Sequence, residues 1–254
     1  MPKVIGITGK IGSGKGHFAS KLISDLKNDG KSVAYLAYAD PLKDVLLRNF
    51  GLTKTGFKGY SPLDYQGDGY TNTKARLRKG LWHWHKKIVS WDSMSGHDQN
   101  NESRSFSVLF DELFDTYGPK LVGLMRKIGD AEMNYDDTFR QIIQMVGTEF
   151  GRGINENFWI LATFAKIHAA LEGGFDVAVV DDVRFPNEKT ELELFCQEAD
   201  YICEVWGVTA SDEVRAQRRG LTVAAMQEFD QHGSERYIDE IISTLPADFV
   251  FINN

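Results

Sequence analysis

The sequence lacks the features that mark membrane, disulfide-stabilised and nucleic-acid-binding proteins. No run of about 18 apolar residues occurs in its 254 residues, so no segment could span a bilayer as a helix. Only two cysteines occur, Cys196 and Cys203, without partners at metal-ligand spacing, and we expect both to be buried thiols. The 29 basic residues are outnumbered by 36 acidic ones, and a net charge of −7 predicts no stable nucleic-acid partner.

The amino terminus also lacks an export signal. Met1 leads directly into a strand-like segment, without a basic stretch followed by a long apolar one. We therefore expect a cytoplasmic protein with no membrane partner. Hydrophobic residues make up 42% of the chain, enough to bury one substantial core, alone or with a smaller appended unit.

Short apolar runs alternate with helical patterns, which is typical of a parallel sheet covered by helices. The candidate strands are residues 4–8, 32–38, 176–180, 201–206 and 248–252. The sequence therefore predicts an α/β fold with a five-stranded, mostly parallel sheet and helices on both faces.

The pattern degrades between residues 53 and 137, where small polar residues are interspersed with aromatic and basic clusters. We interpret 53–137 as a variable inserted region that carries some helices within a single domain of residues 1–254. The tryptophans Trp82, Trp84 and Trp91, with their neighbouring lysines, indicate either a small local core or a surface that stacks on a base.

The most specific motif is a phosphate-binding loop between the first strand and the first helix. It has the form G-x-x-x-x-G-K and consists of Gly9, Lys10, Ile11, Gly12, Ser13, Gly14 and Lys15. Its backbone N–H groups and the positive end of the helix would bind phosphates, while Lys15 would neutralise the β- and γ-phosphates of ATP. The motif predicts a P-loop NTPase fold.

The residue after the lysine is Gly16, where this motif usually has a serine or threonine that binds Mg²⁺. Mg²⁺ would then be held by substrate phosphates, waters and a carboxylate from elsewhere, and Ser13 is a further candidate. Asp181 and Asp182 are the candidate carboxylates, because they follow a strand and ligands bind beyond the carboxyl ends of parallel strands. Arg184 could bind a phosphate there; a solvated ion pair in a turn is the alternative.

Other polar residues recur at helical spacing. Arg140 and Gln144 are four residues apart and share a helix face, and Thr148, Glu149 and Arg152 follow them. A second set, Arg215, Arg218 and Arg219, fits either a lid that brings guanidinium groups over a transferred phosphate or a solvated helix face. We place this lid region at residues 209–234. The polar residues Asp230, His232, Ser234 and Glu235 indicate helix capping by Ser234 rather than a metal site.

These motifs together resemble the bacteriophage-type deoxynucleoside monophosphate kinases. The segments that carry the resemblance are residues 9–15, 38–43, 140–152, 181–188 and 230–235. The resemblance implies transfer of the ATP γ-phosphoryl group to a deoxynucleoside monophosphate (dNMP), with Mg²⁺ as cofactor, in the host cytoplasm if the protein is phage-encoded. It also implies that region 53–137 lies on the monophosphate-binding side, and a homodimer is compatible with it.

The resemblance also assigns site residues by position. It assigns Asp182 and Arg184 to the reaction centre, and with Lys15 of the loop motif and the lid candidates Arg218 and Arg219 they form the predicted catalytic set. The loop residues and Gly16 form the predicted ATP-binding set. The predicted substrate-binding residues are Asp40, Lys43, Arg140, Gln144, Thr148, Glu149, Arg152, Arg184 and Glu188.

Two departures leave alternatives open. The family usually has an aspartate where this chain has Gly16, and it continues past the last strand, whereas this sequence ends at Asn254. The alternatives are a P-loop kinase that acts on dephospho-coenzyme A or on a hydroxymethylated base in DNA, and a nucleotide-binding protein without catalytic activity.

Overall fold

The computed structural model describes residues 1–57, 69–92, 99–128, 135–230 and 235–254. Within this part of the chain, contacts divide the protein into two compact units. Met1–Tyr38 and Lys166–Asn254 form the first, which we call the sheet unit, and Ala39–Ala165 form the second, the helical unit.

The strands, in chain order, are β1 (Lys3–Thr8), β2 (Val33–Ala37), β3 (Leu52–Thr53), β4 (Gly56–Phe57), β5 (Val177–Val183), β6 (Ile202–Thr209) and β7 (Val250–Ile252). The helices are α1 (Lys15–Asn28), α2 (Asp40–Phe50), α3 (Tyr70–Asp92), α4 (Gln99–Lys127), α5 (Tyr135–Gln144), a π-helix (Met145–Arg152), α6 (Phe158–Glu172), α7 (Pro186–Glu198), α8 (Asp212–Arg219), α9 (Val223–Asp230), α10 (Ile238–Ser243) and a 3₁₀ turn (Ala247–Phe249).

The sheet unit contains the predicted five-stranded sheet. Its strand order is β2-β5-β1-β6-β7, and every neighbouring pair is parallel. All five predicted strands are present. The main difference is that β5 continues to Val183, so that Asp181 and Asp182 belong to the end of the strand rather than to the turn after it.

Helices cover both faces of this sheet. Side chains alternate along each strand, so neighbouring residues of one strand pack against opposite helix layers. Ile5 and Ile7 of β1 are buried in one apolar cluster with Phe18 of α1. On the other face, Gly6 lies against Leu192 of α7, whose Cδ2 would be 3.0 Å from a Cβ at position 6. The predicted α/β fold of P-loop kinases is thereby confirmed.

The helical unit is built around aromatic side chains. Phe106, Phe110 and Phe114 recur every fourth residue on α4, and their rings stack at 6.0 and 5.8 Å between centroids. Phe150 of the π-helix closes this cluster 5.9 Å from Phe114. Trp84 of α3 is also buried in the core, whereas the side chain of Trp91 lies outside the described residues.

The region 53–137 contains α3 and α4, and its interpretation as an insertion stays a prediction. Cys196 is buried as predicted, but Cys203 on β6 is only half-buried. Among the described residues, no helix combines the length and the apolarity needed to cross a membrane.

Candidate active site

The predicted phosphate loop connects β1 to α1, and its glycines are required by close contacts. A Cβ at Gly9 would lie 2.4 Å from the carbonyl oxygen of Val208, a contact that no side chain could make. Gly14 precedes α1 as its N-cap, with φ 90, in the left-handed region that favours glycine. No acidic residue occupies the first turn of α1, so the positive end of the helix is not neutralised from within it.

Lys15, the first residue of α1, directs its side chain back along the loop. Its Nζ donates to the carbonyl oxygen of Gly9 and lies 3.2 Å from Oδ1 of Asp182. The lysine of the loop and one of the two predicted carboxylates are therefore in direct contact.

Asp182 reaches this position through a bulge in β5. Ile7 of β1 pairs with Asp181 and Thr8 pairs with Val183, so that Asp182 is the extra residue. Its φ of 77 is one of two positive values on non-glycine residues in the described chain. Strained backbone of this kind is found most often at functional sites.

Two cations surround the Asp182 carboxylate. Besides Lys15, Nε of Arg184 lies 2.7 Å from its Oδ1. Burial opposes ionisation of this carboxyl group, but the positive charges of Lys15 and Arg184 outweigh burial and lower the pKa of Asp182. Asp182 is therefore an ionised carboxylate beside the phosphate loop.

Asp181 faces a different neighbour. Its Oδ2 accepts a hydrogen bond of 2.7 Å from the hydroxyl group of Tyr35, while its buried Oδ1 has no hydrogen-bond partner among the described residues. Two adjacent carboxylates, one with an uncommitted oxygen, suit the oxygen-ligand chemistry of Mg²⁺. The described residues contain no group of three or more metal-binding side chains, so most ligands would be waters and phosphate oxygens.

The arginines of the predicted lid region differ from one another. Arg219 is exposed in the last turn of α8. Arg218 donates to the carbonyl oxygens of Gly12 and Ser13, each at 3.3 Å, and so lies against the phosphate loop. Arg215 is only 2% exposed and is paired with Asp230. A buried, paired role for Arg215 was not predicted.

Glu188 and Glu235 are buried as well. Glu188 accepts hydrogen bonds from the N–H groups of Arg184 and Phe185 at 2.7 and 3.2 Å, which fixes the start of α7. Glu235 accepts from the N–H group of Ile11 and pairs with Arg184. The contact between Glu235 and the loop was missed, because residues so distant in sequence give no local signal. The proposed cap Ser234, and His232, lie outside the described residues.

The remaining candidates belong to the helical unit. Asp40 begins α2, and Nζ of Lys43 lies 4.0 Å from its Oδ1. Arg140 and Gln144 share an exposed face of α5. The π-helix carries Thr148, Glu149 and Arg152, of which Thr148 and Arg152 are exposed and Glu149 is half-buried.

Trp159 packs against the backbone of the π-helix. Its Nε1 donates to the carbonyl oxygen of Gly147 at 2.7 Å, and a Cβ at Gly151 would lie 2.3 Å from the same nitrogen. Glycine at position 151 lets the indole pack directly on the π-helix backbone, whereas a Cβ at Gly147 would lie 3.1 Å from Cδ2 of Leu42. π-Helical turns are rare and are frequently found at functional sites.

Comparison with known proteins gives one informative match. No protein-family model matches the chain. A deoxynucleoside-5'-monophosphate kinase of Escherichia phage T5 is 28% identical over 192 residues, which cover 74% of this chain and 70% of that protein. This match confirms the predicted resemblance of the chain to the bacteriophage-type deoxynucleoside monophosphate kinases.

Proposed function

We propose that this protein is a deoxynucleoside monophosphate kinase that transfers the γ-phosphoryl group of ATP to a dNMP. The name of the phage relative supports the coarser statement, that the chain is a nucleotide kinase. The observation that carries the proposal is the contact of Lys15 with Asp182, 3.2 Å apart, at the carboxyl end of a parallel sheet and the N-terminus of a helix.

In the proposed reaction, an oxygen of the acceptor phosphate attacks the γ-phosphorus in line. A new P–O bond forms while the bond to the β,γ-bridging oxygen breaks, and ADP leaves with that electron pair. The loop N–H groups and Lys15 hold the triphosphate and spread its charge, and Arg218 and Arg219 add positive charge as the transition state develops. Mg²⁺, when bound, would neutralise phosphate charge, held by Asp181 and Asp182 in part through water.

Acceptor binding rests on the resemblance. We assign it to Asp40, Lys43, Arg140, Gln144, Thr148, Glu149, Arg152, Arg184 and Glu188. The buried position of Glu188 supports an indirect role, in which it fixes the backbone of Arg184. An arginine held in this way is suited to bind a phosphate.

The test is a phosphorylation screen with labelled ATP. The acceptors are dTMP, dGMP, dAMP, dCMP, 5-substituted pyrimidine monophosphates, dephospho-coenzyme A and DNA with hydroxymethylated bases. We expect labelled diphosphate from at least one dNMP and no product from the last two. ATP binding without any product would instead indicate an inactive nucleotide-binding protein.

The variant Lys15→Ala tests the assigned chemistry. We expect transfer to fall by at least about 100-fold, because a positioned charge at the γ-phosphate is lost. Lys21→Ala, at an exposed position of the same helix, is the matched control and should keep wild-type activity. Normal turnover in Lys15→Ala, with an unchanged melting temperature, would remove the proposed mechanism.

A further inference from the structure

We propose that Glu235 and Arg215 are positioning residues that fix the phosphate loop by holding both polar backbone groups of Ile11. The consequences for catalysis rest on the proposed function, whereas the contacts themselves do not. Glu235 and Arg215 are almost fully buried, at 4% and 2% exposure, and the burial of Arg215 fits neither the lid nor the solvated helix face that its spacing predicted.

Glu235 uses both of its carboxylate oxygens. Oε2 accepts a hydrogen bond of 2.8 Å from the N–H group of Ile11, and Oε1 lies 2.9 Å from Nη1 of Arg184. One buried carboxylate therefore binds the loop backbone and an arginine that in turn pairs with Asp182. Since Asp182 also contacts Lys15, the chain of contacts leads from the start of the loop to its lysine.

Arg215 holds the other side of the same residue. Its Nε donates to the carbonyl oxygen of Ile11 at 3.0 Å, while its two terminal nitrogens bind the carboxylate of Asp230 in a fork. Asp212 accepts a further hydrogen bond of 2.9 Å from Nη1. Asp230 raises the pKa of Arg215, so the guanidinium group is a permanent charge at this position.

Asp230 also ties down the residue before Ile11. Nζ of Lys10 lies 3.1 Å from Oδ2 of Asp230. Burial lowers the pKa of Lys10, but the hydrogen bonds to Asp239 and Asp230 outweigh it and raise the pKa. Lys10 and Ile11 are therefore held by charged groups of α8, α9 and the segment that begins at Glu235.

The loop needs such support because of its glycines. Gly12 and Gly14, with φ values of 81 and 90, follow Ile11 and would be mobile in an unsupported loop, since glycine has the greatest backbone freedom to lose. A backbone already fixed in its binding conformation does not pay that entropy when a phosphate binds. The inferred role of Glu235 and Arg215 is to keep the loop in this conformation.

Hydrogen exchange of the nucleotide-free protein tests the contacts directly. The readout is the exchange rate of the peptide that covers residues 9–15, in Glu235→Ala, Glu235→Gln and Arg215→Lys. We expect exchange to be about 10-fold faster in Glu235→Ala and Arg215→Lys, and near wild type in Glu235→Gln, whose amide oxygen can still accept from Ile11. The controls are Glu240→Gln on α10 and Gln217→Ala on α8, both exposed.

Function is measured separately on the same variants. ATP calorimetry should show a Kd about 10-fold higher in Glu235→Ala, because the loop must be ordered on binding. Glu235→Gln loses its charge opposite Arg184, and we expect kcat to fall about 10-fold with little change in the KM for ATP. If Glu235 only stabilised the fold, both variants would have a lower melting temperature, without a higher Kd in one and a lower kcat at unchanged KM in the other.

The possible results separate the two proposals. Loop exchange at the wild-type rate in both Glu235→Ala and Arg215→Lys would overturn the positioning role, whatever the enzyme does. If Glu235→Ala does not fold, Arg215→Lys alone decides. A wild-type protein that fails to bind ATP would defeat the proposed kinase function, while faster loop exchange in the variants would still support the positioning role.

Discussion

Among the described residues, the two units of this protein differ in whether they bury charged side chains. The sheet unit encloses charged groups beside its phosphate loop, among them Arg215 and Glu235. The helical unit encloses phenylalanines and tryptophans, with Phe110 and Phe114 completely inaccessible to solvent. A buried charge must be paired at a defined distance, whereas buried rings need only shape and volume. The sheet unit therefore depends on paired charges beside its loop, whereas the helical unit is stabilised chiefly by its aromatic core.

The largest expected effect comes from breaking the aromatic core. Phe114→Ala should lower the free energy of unfolding by about 3–5 kcal/mol, because it removes a ring packed against Phe110, Phe150 and Tyr70 and leaves a cavity. Urea denaturation followed by tryptophan fluorescence measures it. Trp82, Trp84, Trp91 and Trp159 lie in the helical unit and Trp206 in the sheet unit, so emission reports mainly on the former.

Val108 offers a matched control on the same helix. It is 54% exposed, and Val108→Ala should change stability by less than about 0.5 kcal/mol. Equal losses in the two variants would mean that α4 does not present its phenylalanines to a core.

A smaller effect is expected at the bulge in β5, where charge and backbone strain coincide. Asp182→Ala and Asp182→Gly both remove the carboxylate, but only alanine must adopt a φ of 77 without a favourable side-chain contact. We expect the glycine variant to be more stable than the alanine variant by about 1 kcal/mol, measured by urea denaturation. Both should lose phosphoryl transfer to a similar extent.

Asp181 supplies the comparison for this pair. It lies next to Asp182 but is not among the residues with positive φ. Asp181→Gly should therefore be less stable than Asp181→Ala, the reverse of the order at position 182. If glycine and alanine rank in the same order at both positions, the bulge does not impose the strain described above.

What the sequence predicted depends on how far apart in the chain the contacting residues lie. The loop from Gly9 to Lys15 was recognisable because its function depends on neighbouring backbone groups, and all five strands carry short apolar runs. The bulge at Asp182 was not recognisable from the sequence, because it depends on the register between β5 and β1. The pairing of Arg215 with Asp230 and of Glu235 with Ile11 depends on distant segments that meet only after folding. The π-helical form of Met145–Arg152 was not predicted either; Trp159, which donates to its backbone at Gly147, follows it in the chain and gives no local signal of that form.

The smallest expected effect is a difference between the two units in how their stability depends on pH. Burial lowers the pKa of His85 in the helical unit below the ordinary value of 6.5, and burial with the charge of Lys87 does the same for His83. The unfolded chain therefore takes up protons near pH 6.5 that the folded unit resists. This contribution to stability is complete above pH 6.5 and is lost as the pH falls from that value through the lower folded pKa values.

The lowered pKa of Asp182 acts in a more acidic range. Its contribution is complete above the ordinary value of 3.8 and is lost as the pH falls towards the lower folded value. Between pH 7.5 and 5.5 only the histidine contribution is therefore lost, and the urea midpoint should decrease. Tryptophan fluorescence and circular dichroism measure this decrease, which should be smaller in the double variant His83→Gln/His85→Gln. Phosphate-loop exchange, which reports on the sheet unit, should not change over this interval beyond the intrinsic pH dependence of exchange. An equal decrease in the double variant would show that the two histidines are not the groups responsible.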